Sequence, residues 1–196
     1  MTAILTTPFA QRNKLPAVTQ KTISDRSVAG LGGETHLLVG RANSFRLGHS
    51  VLPAALIYIS QDKAGALASS DYEGVIGTEI LKRFKVIFDY SRRRLILERN
   101  DHFRETLEYD MSGMSLRALG DDFRTFKIYQ VLGDSPAGKA GLRVGDIIER
   151  IDVQPASQLT LEQILQMMKV PGRAYQLTIK RNSETRLATI TTRRLI

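Results

Sequence analysis

The sequence predicts a mainly β protein with short helices, organised as two domains, and three observations carry that prediction. Across the first hundred residues, short apolar runs alternate with turn residues. "THLLVG", "SFRLG", "AALIYIS", "FKVIFDY" and "RLILE" all have strand length and a β-branched or aromatic content. The segment "RNDHFRETLEYD", residues 99–110, is charged and aperiodic, as a connection between domains is. Beyond it the pattern changes to Gly/Pro-punctuated strands around one well-marked helix. The expected division is residues 1–100, a linker over 101–110 and a second domain over 111–196.

Each element has a local reason. In the first domain a two-turn helix is expected over residues 77–84, with Thr78 as N-cap and Ile80, Leu81 and Phe84 on one side. Asp89, Tyr90, Ser91 and three consecutive arginines then close a hairpin between "KVIF" and "LILE". In the second domain "SGMSLRAL" and "RTFKIYQVL" read as strands, and "DIIERI" as a short buried strand. A helix begins at Thr160, which with Gln163 forms a capping box, while Leu159 and Ile164 form a hydrophobic staple. Leu161, Ile164, Leu165 and Met168 fall on one buried face, and Pro171-Gly172 ends the helix. "AYQLTIKR" and "RLATITTRRLI" complete the strands.

Composition bounds the function. Hydrophobic residues make up 42% and charged residues 24%, and no apolar run reaches the ~18 residues of a membrane span. The start has neither the basic n-region nor the apolar length of a signal peptide. Cysteine is absent, so disulfides and thiolate metal sites are excluded, and His36, His49 and His102 lack the spacing of a zinc site. No metal and no cofactor is expected. The net charge of +8 includes Arg92-Arg93-Arg94, but no aromatic residues interleave with the basic ones to stack bases. The charge therefore reads as a solvated hairpin, with no nucleic-acid partner.

The stretch "SPAGKAGLRVGDIIERID", with the strands and helix around it, closely resembles a bacterial-type PDZ domain over residues 111–196. The residue chemistry agrees: Pro136 suits a first helical turn, Gly141 a left-handed C-cap and Gly145 a tight turn before a buried strand. The resemblance implies an α+β unit, a partly open β-barrel with two helices. It also implies capture of an extended peptide, often a C-terminus, as an added strand. Carried over residue by residue, the peptide-binding positions are Gly113, Met114, Ser115 and Leu116 in the carboxylate-facing loop and Leu161 and Leu165 on the helix. Ser115 stands where that family's loop has a second glycine.

The first hundred residues resemble the retropepsin-like aspartic peptidases, as an incomplete lobe. Gly30, Leu31, Gly32 and Gly33, followed by "ETHLLVG", are similar to the glycine-rich tip of that family's flap. Val75, Ile76 and Gly77, followed by a helix and hairpin, are similar to the element that supports its catalytic loop. Aspartic peptidases use two aspartates from Asp-Thr/Ser-Gly loops, and no such loop occurs in this chain. Asp25 lies five residues before Gly30, too close to serve, so the catalytic residue set is empty.

The reading of function is therefore a C-terminal piece of an aspartic endopeptidase with a peptide-binding PDZ domain, inactive as it stands. "AILTTPFAQRNKL" would be the strand and turn after a missing catalytic loop. The alternative is a noncatalytic scaffold that dimerises through the β lobe and binds partner C-termini. Either way, self-association through residues 1–100 is expected, because a partial lobe leaves sheet edges and core surface uncovered. The family's members with this domain pairing imply a periplasmic or secreted site.

Overall fold

The structure, a computed structural model, describes residues 2–15, 19–25, 29–30 and 33–196. The chain is mainly β and divides into two compact units, one running to Leu107 and including Ile196, the other running from Glu108 to Leu195.

The first unit contains, in order, β1 (Ala3–Leu5), α1 (Thr7–Arg12), β2 (Thr19–Asp25), β3 (Ala29–Gly30), β4 (Gly33–Glu34), β5 (Leu37–Ala42), β6 (Ser44–Leu47), β7 (Ser50–Pro53), β8 (Leu56–Ser60), β9 (Gly74–Ile76), α2 (Thr78–Leu81), β10 (Phe84–Asp89) and β11 (Arg94–Arg99). Its main sheet has the order β2-β5-β8-β1-β9, with β1 parallel to β8 and antiparallel to β9. The predicted hairpin is present as β10 and β11, paired from Phe84↔Arg99 to Asp89↔Arg94. Ala3, Leu52, Ala55, Ile80 and Phe84 form one core cluster, and Ala10, Ala42, Ile57 and Ile59 another.

Three expectations for this unit need correction. Residues 7–12, expected as a turn, form α1: the Thr6 hydroxyl accepts from the Phe9 amide at 3.4 Å and Pro8 sits in the first turn. The helix expected over 77–84 is a single turn whose N-cap is Gly77, not Thr78. It stops because the chain is already extended in β10 from Phe84. Finally, residues 101–107 are not a free linker. Asn100 Oδ1 accepts from the His102 amide, starting a 3-10 turn over Asp101–Arg104, and the Phe103 ring packs edge-on against Phe84 at 5.5 Å. That contact draws the segment into the first unit.

The second unit contains β12 (Met114–Leu119), β13 (Thr125–Val131), α3 (Pro136–Lys139), β14 (Ile147–Ile151), β15 (Gln154–Pro155), α4 (Leu161–Met167), β16 (Ala174–Arg181) and β17 (Glu184–Thr191). The strands run β12-β13-β14-β16-β17, with β15 paired to β14. Alternation places Phe126 and Ile128 of β13, and Tyr175, Leu177 and Ile179 of β16, in one core with Met114, Ile148, Ile164, Met168 and Ile190. Both halves of the Thr160/Gln163 capping box form. Gly141 follows α3 at φ +74° and Gly145 turns at φ +98° before β14, the left-handed geometry that only glycine adopts without strain. No helix among the described residues is long and apolar enough to cross a membrane.

Candidate functional site: the free edge of β12 beside α4

β12 ends the strand order of its sheet, so one of its edges has no partner strand among the described residues, and α4 packs against it. An edge strand next to a helix offers a row of backbone donors and acceptors with an apolar wall on one side. The pairing shifts between Ser115 and Leu116, which face Gln130 and Ile128, so the extra residue, Tyr129, stands on β13 opposite the start of β12.

The six positions expected to meet a peptide do not behave alike. Met114 is 3% exposed and belongs to the core. Gly113 is buried at φ +76°, where a Cβ would lie 2.1 Å from Ser135 Cβ. Ser115 and Leu116 on β12, and Leu161 and Leu165 on α4, are half-buried. Leu116 and Leu161 pack on the margin of the core. Ser115 and Leu116 thus lie on the edge strand and Leu161 and Leu165 on the helix that contacts it, whereas Gly113 and Met114 are buried.

The loop before β12 is organised by Asp110, which the sequence reading passed over. Its Oδ1 accepts from Ser112 N at 2.9 Å, Ser112 Oγ at 2.7 Å and Gly113 N at 2.7 Å. Ser112 Oγ in turn accepts from Met114 N at 3.1 Å. The amides of Ser112, Gly113 and Met114, in the loop expected to receive a ligand carboxylate, are thus already bonded inside the chain. The signal was available, since Asp followed two residues later by Ser-Gly is turn chemistry.

Asp110 Oδ2 is buried without a hydrogen-bond partner among the described residues. Burial pushes the carboxyl up to about 6, against the opposing hydrogen bonds from Ser112 and Gly113 and the nearby Lys169 charge. The folded state therefore favours the protonated acid. Its contribution to stability is full below the ordinary carboxyl range and is lost as pH rises through about 6.

The candidate residues of the first unit are placed as follows. Gly30 and Gly33 pair across the two-stranded ribbon of β3 and β4, while Leu31 and Gly32 lie outside the described residues. Val75 and Ile76 are 49% and 37% exposed on β9, an edge strand paired with β1. The Gly77 amide donates to the Thr2 carbonyl. The close approach that demands glycine falls at Gly74, where a Cβ would lie 2.4 Å from the Ile4 carbonyl oxygen. Among the described residues no cluster of His, Asp and Glu could hold a metal.

A family match falls on the second unit. Residues 108–192 match the PDZ domain family and are a PDZ domain. Over 61 residues, 31% of this chain, the sequence is 41% identical to the chloroplastic carboxyl-terminal-processing peptidase 2 of Arabidopsis thaliana, covering 12% of that protein. Over 128 residues, 65% of this chain, it is 24% identical to a "Probable CtpA-like serine protease" of Staphylococcus haemolyticus, covering 24% of it. The chain thus spans a quarter or less of these relatives. Among solved structures, the HtrA3 PDZ domain bound to a phage-derived ligand aligns over 43% of this chain and 86% of its own, at 20% identity and TM-score 0.37. Neither curated relative is named as an aspartic peptidase, so the aspartic likeness of residues 1–100 gains no support from them.

Proposed function

We propose that the chain is a peptide-capturing component of a proteolytic protein, whose PDZ domain takes an extended peptide as an added strand along β12. The observation that carries this is the free edge of β12 beside α4, with Ser115, Leu116, Leu161 and Leu165 half-buried along it. A peptide strand there would gain main-chain hydrogen bonds from β12 and a side-chain pocket against α4. The proteolytic setting is supported by the names of the two curated relatives.

Leu165→Glu places a charge against the apolar part of such a ligand while leaving the core leucines and methionines in place. Burying an unpaired carboxylate is strongly unfavourable, so binding of a labelled peptide with an apolar C-terminal residue should weaken by more than roughly tenfold. Fluorescence anisotropy with the full chain measures it. Unchanged affinity in a folded Leu165→Glu variant would remove α4 from the site.

A second reading concerns the first unit and is favoured by the seating of β9 and Gly77 against β1 and Thr2. In it, residues 1–100 are a retropepsin-like lobe without a catalytic aspartate, catalytically silent alone and built to associate with another lobe. Phe88, Tyr90, Leu95 and Ile96, exposed on the β10/β11 hairpin, supply the apolar surface for that association. Sedimentation of the full chain at micromolar concentration should then give a dimer, and Phe88→Asp should return it to monomer. A wild-type monomer contradicts this reading and leaves the peptide-binding one untouched.

A further inference from the structure

Arg83 is an unusual residue for the inside of a small unit. A Lys-Arg pair after a short helix reads as surface, yet Arg83 is 4% exposed. Its Nε donates to the Glu79 carbonyl oxygen at 3.2 Å and its Nη1 to the Phe103 carbonyl oxygen at 3.0 Å. Its Nη2 donates to no acceptor among the described residues, and no carboxylate there lies within ion-pair distance of it. The Glu79 carboxylate is engaged by Lys82 Nζ at 2.9 Å, and that of Glu105 by His102 Nδ1 at 2.5 Å. The Glu105 carboxylate, lowered chiefly by its hydrogen bond with His102, also feels the Arg83 charge without an ion pair between them, and the charge and fork geometry of Arg83 suit a further carboxylate.

Arg83 also lines a cavity of about 260 Å³. Leu52, Ala55, Ile80 and Phe103 form its apolar walls. Arg104 and Glu105 also line it, so its lining holds two cationic side chains against one carboxylate and is net positive. Apolar walls around a few oriented charged groups are the general form of a small-molecule site, and this volume lies just below the usual range of roughly 300–1,000 Å³. We infer that the cavity binds a small apolar carboxylate whose head group pairs with Arg83. This site lies wholly within the first unit and is independent of the PDZ groove.

Two sources share that chemistry, a free short-chain acid and the C-terminal residue of a peptide. Isovalerate and N-acetyl-leucine represent them, and N-acetyl-leucinamide is the uncharged control. Titrated into the ¹⁵N-labelled full chain, one of the carboxylates should give saturable shifts at the Arg83 side-chain N–H and the Phe103 amide, and the amide should give none. Whichever carboxylate saturates at lower concentration identifies the source. Arg83→Met should weaken binding by roughly tenfold or more, the size of a charged hydrogen-bond pair. Ala55→Leu fills the cavity while keeping the Arg83 contacts, and decides the matter if Arg83→Met fails to fold. Binding of the amide equal to that of the carboxylate, no binding of either acid, or unchanged binding in a folded Ala55→Leu variant overturns the inference.

Discussion

Arg181→Ala should lower the thermal unfolding midpoint of the second unit by roughly 10 °C or more. Asp146 opens the turn into β14 and is 1% exposed. Arg181, at the end of β16, grips it with both arms of the guanidinium, Nε to Oδ1 at 2.7 Å and Nη2 to Oδ2 at 2.8 Å. Nη2 also reaches the Gly141 carbonyl oxygen at 2.8 Å, so one side chain ties the α3 exit, the β14 entry and β16 together. Burial alone would raise the Asp146 carboxyl, but hydrogen bonds from Arg181 and the Arg143 amide outweigh it and hold the group below its ordinary range.

Removing Arg181 leaves a buried carboxylate with the Arg143 amide as its remaining side-chain partner, the expensive half of a broken pair. The sign of the pH dependence follows. In wild type this carboxylate contributes stability above the ordinary carboxyl range, lost as pH falls through its lowered folded value. In Arg181→Ala that acid-side loss should disappear. Circular dichroism melts of both proteins across acid pH measure it, and an unchanged midpoint would show that the pair contributes nothing net.

Gly113→Ala should destabilise the same unit by about 2–5 kcal/mol, from a left-handed backbone and an overpacked contact acting together. The added Cβ would meet Ser135 Cβ at 2.1 Å and Oγ at 2.4 Å. Ser135 cannot turn away cheaply. Its Oγ donates to the Leu132 carbonyl oxygen at 2.6 Å and accepts from the Gly138 amide at 3.1 Å, capping α3. Yielding would therefore orphan a buried helix cap. Adding Ser135→Gly in the Gly113→Ala background removes the collision, so the double variant should be less unstable than the sum of the two single changes. Strict additivity by denaturant unfolding would place the cost in the backbone conformation alone.

Much of the second unit was legible because its signals are local. Thr160 with Gln163, Gly141 after a Pro-led helix and Gly145 before a buried strand each satisfy a neighbour's backbone within a few residues, and all take the expected form. The hairpin from Phe84 to Arg99 is of the same kind. What escaped the sequence depends on distant partners. Gly113 is required by Ser135, Asp146 is matched by Arg181 thirty-five residues away, and Gly74 is required by the Ile4 carbonyl. Met114 appeared as a groove residue because it stands beside the loop, yet strand alternation turns it into the core. Arg83 carried no sequence signal of burial, and it lies inside where Phe103 packs against the Ile80 cluster. The segment ending in Asp110 looked like a linker because its work is done by side-chain to backbone bonds, which leave no hydrophobic period.

The most direct test of the account is amide hydrogen exchange of the full chain with and without a peptide that ends in an apolar residue and a free carboxylate. Strand addition protects outward-facing amides of the receiving edge. The gain in protection should fall within residues 115–119 of β12, with methyl shifts at Leu161 and Leu165 and no change along β17, the opposite edge of the sheet. Protection gained along β17, or peptide binding that leaves β12 exchange unchanged, would contradict it.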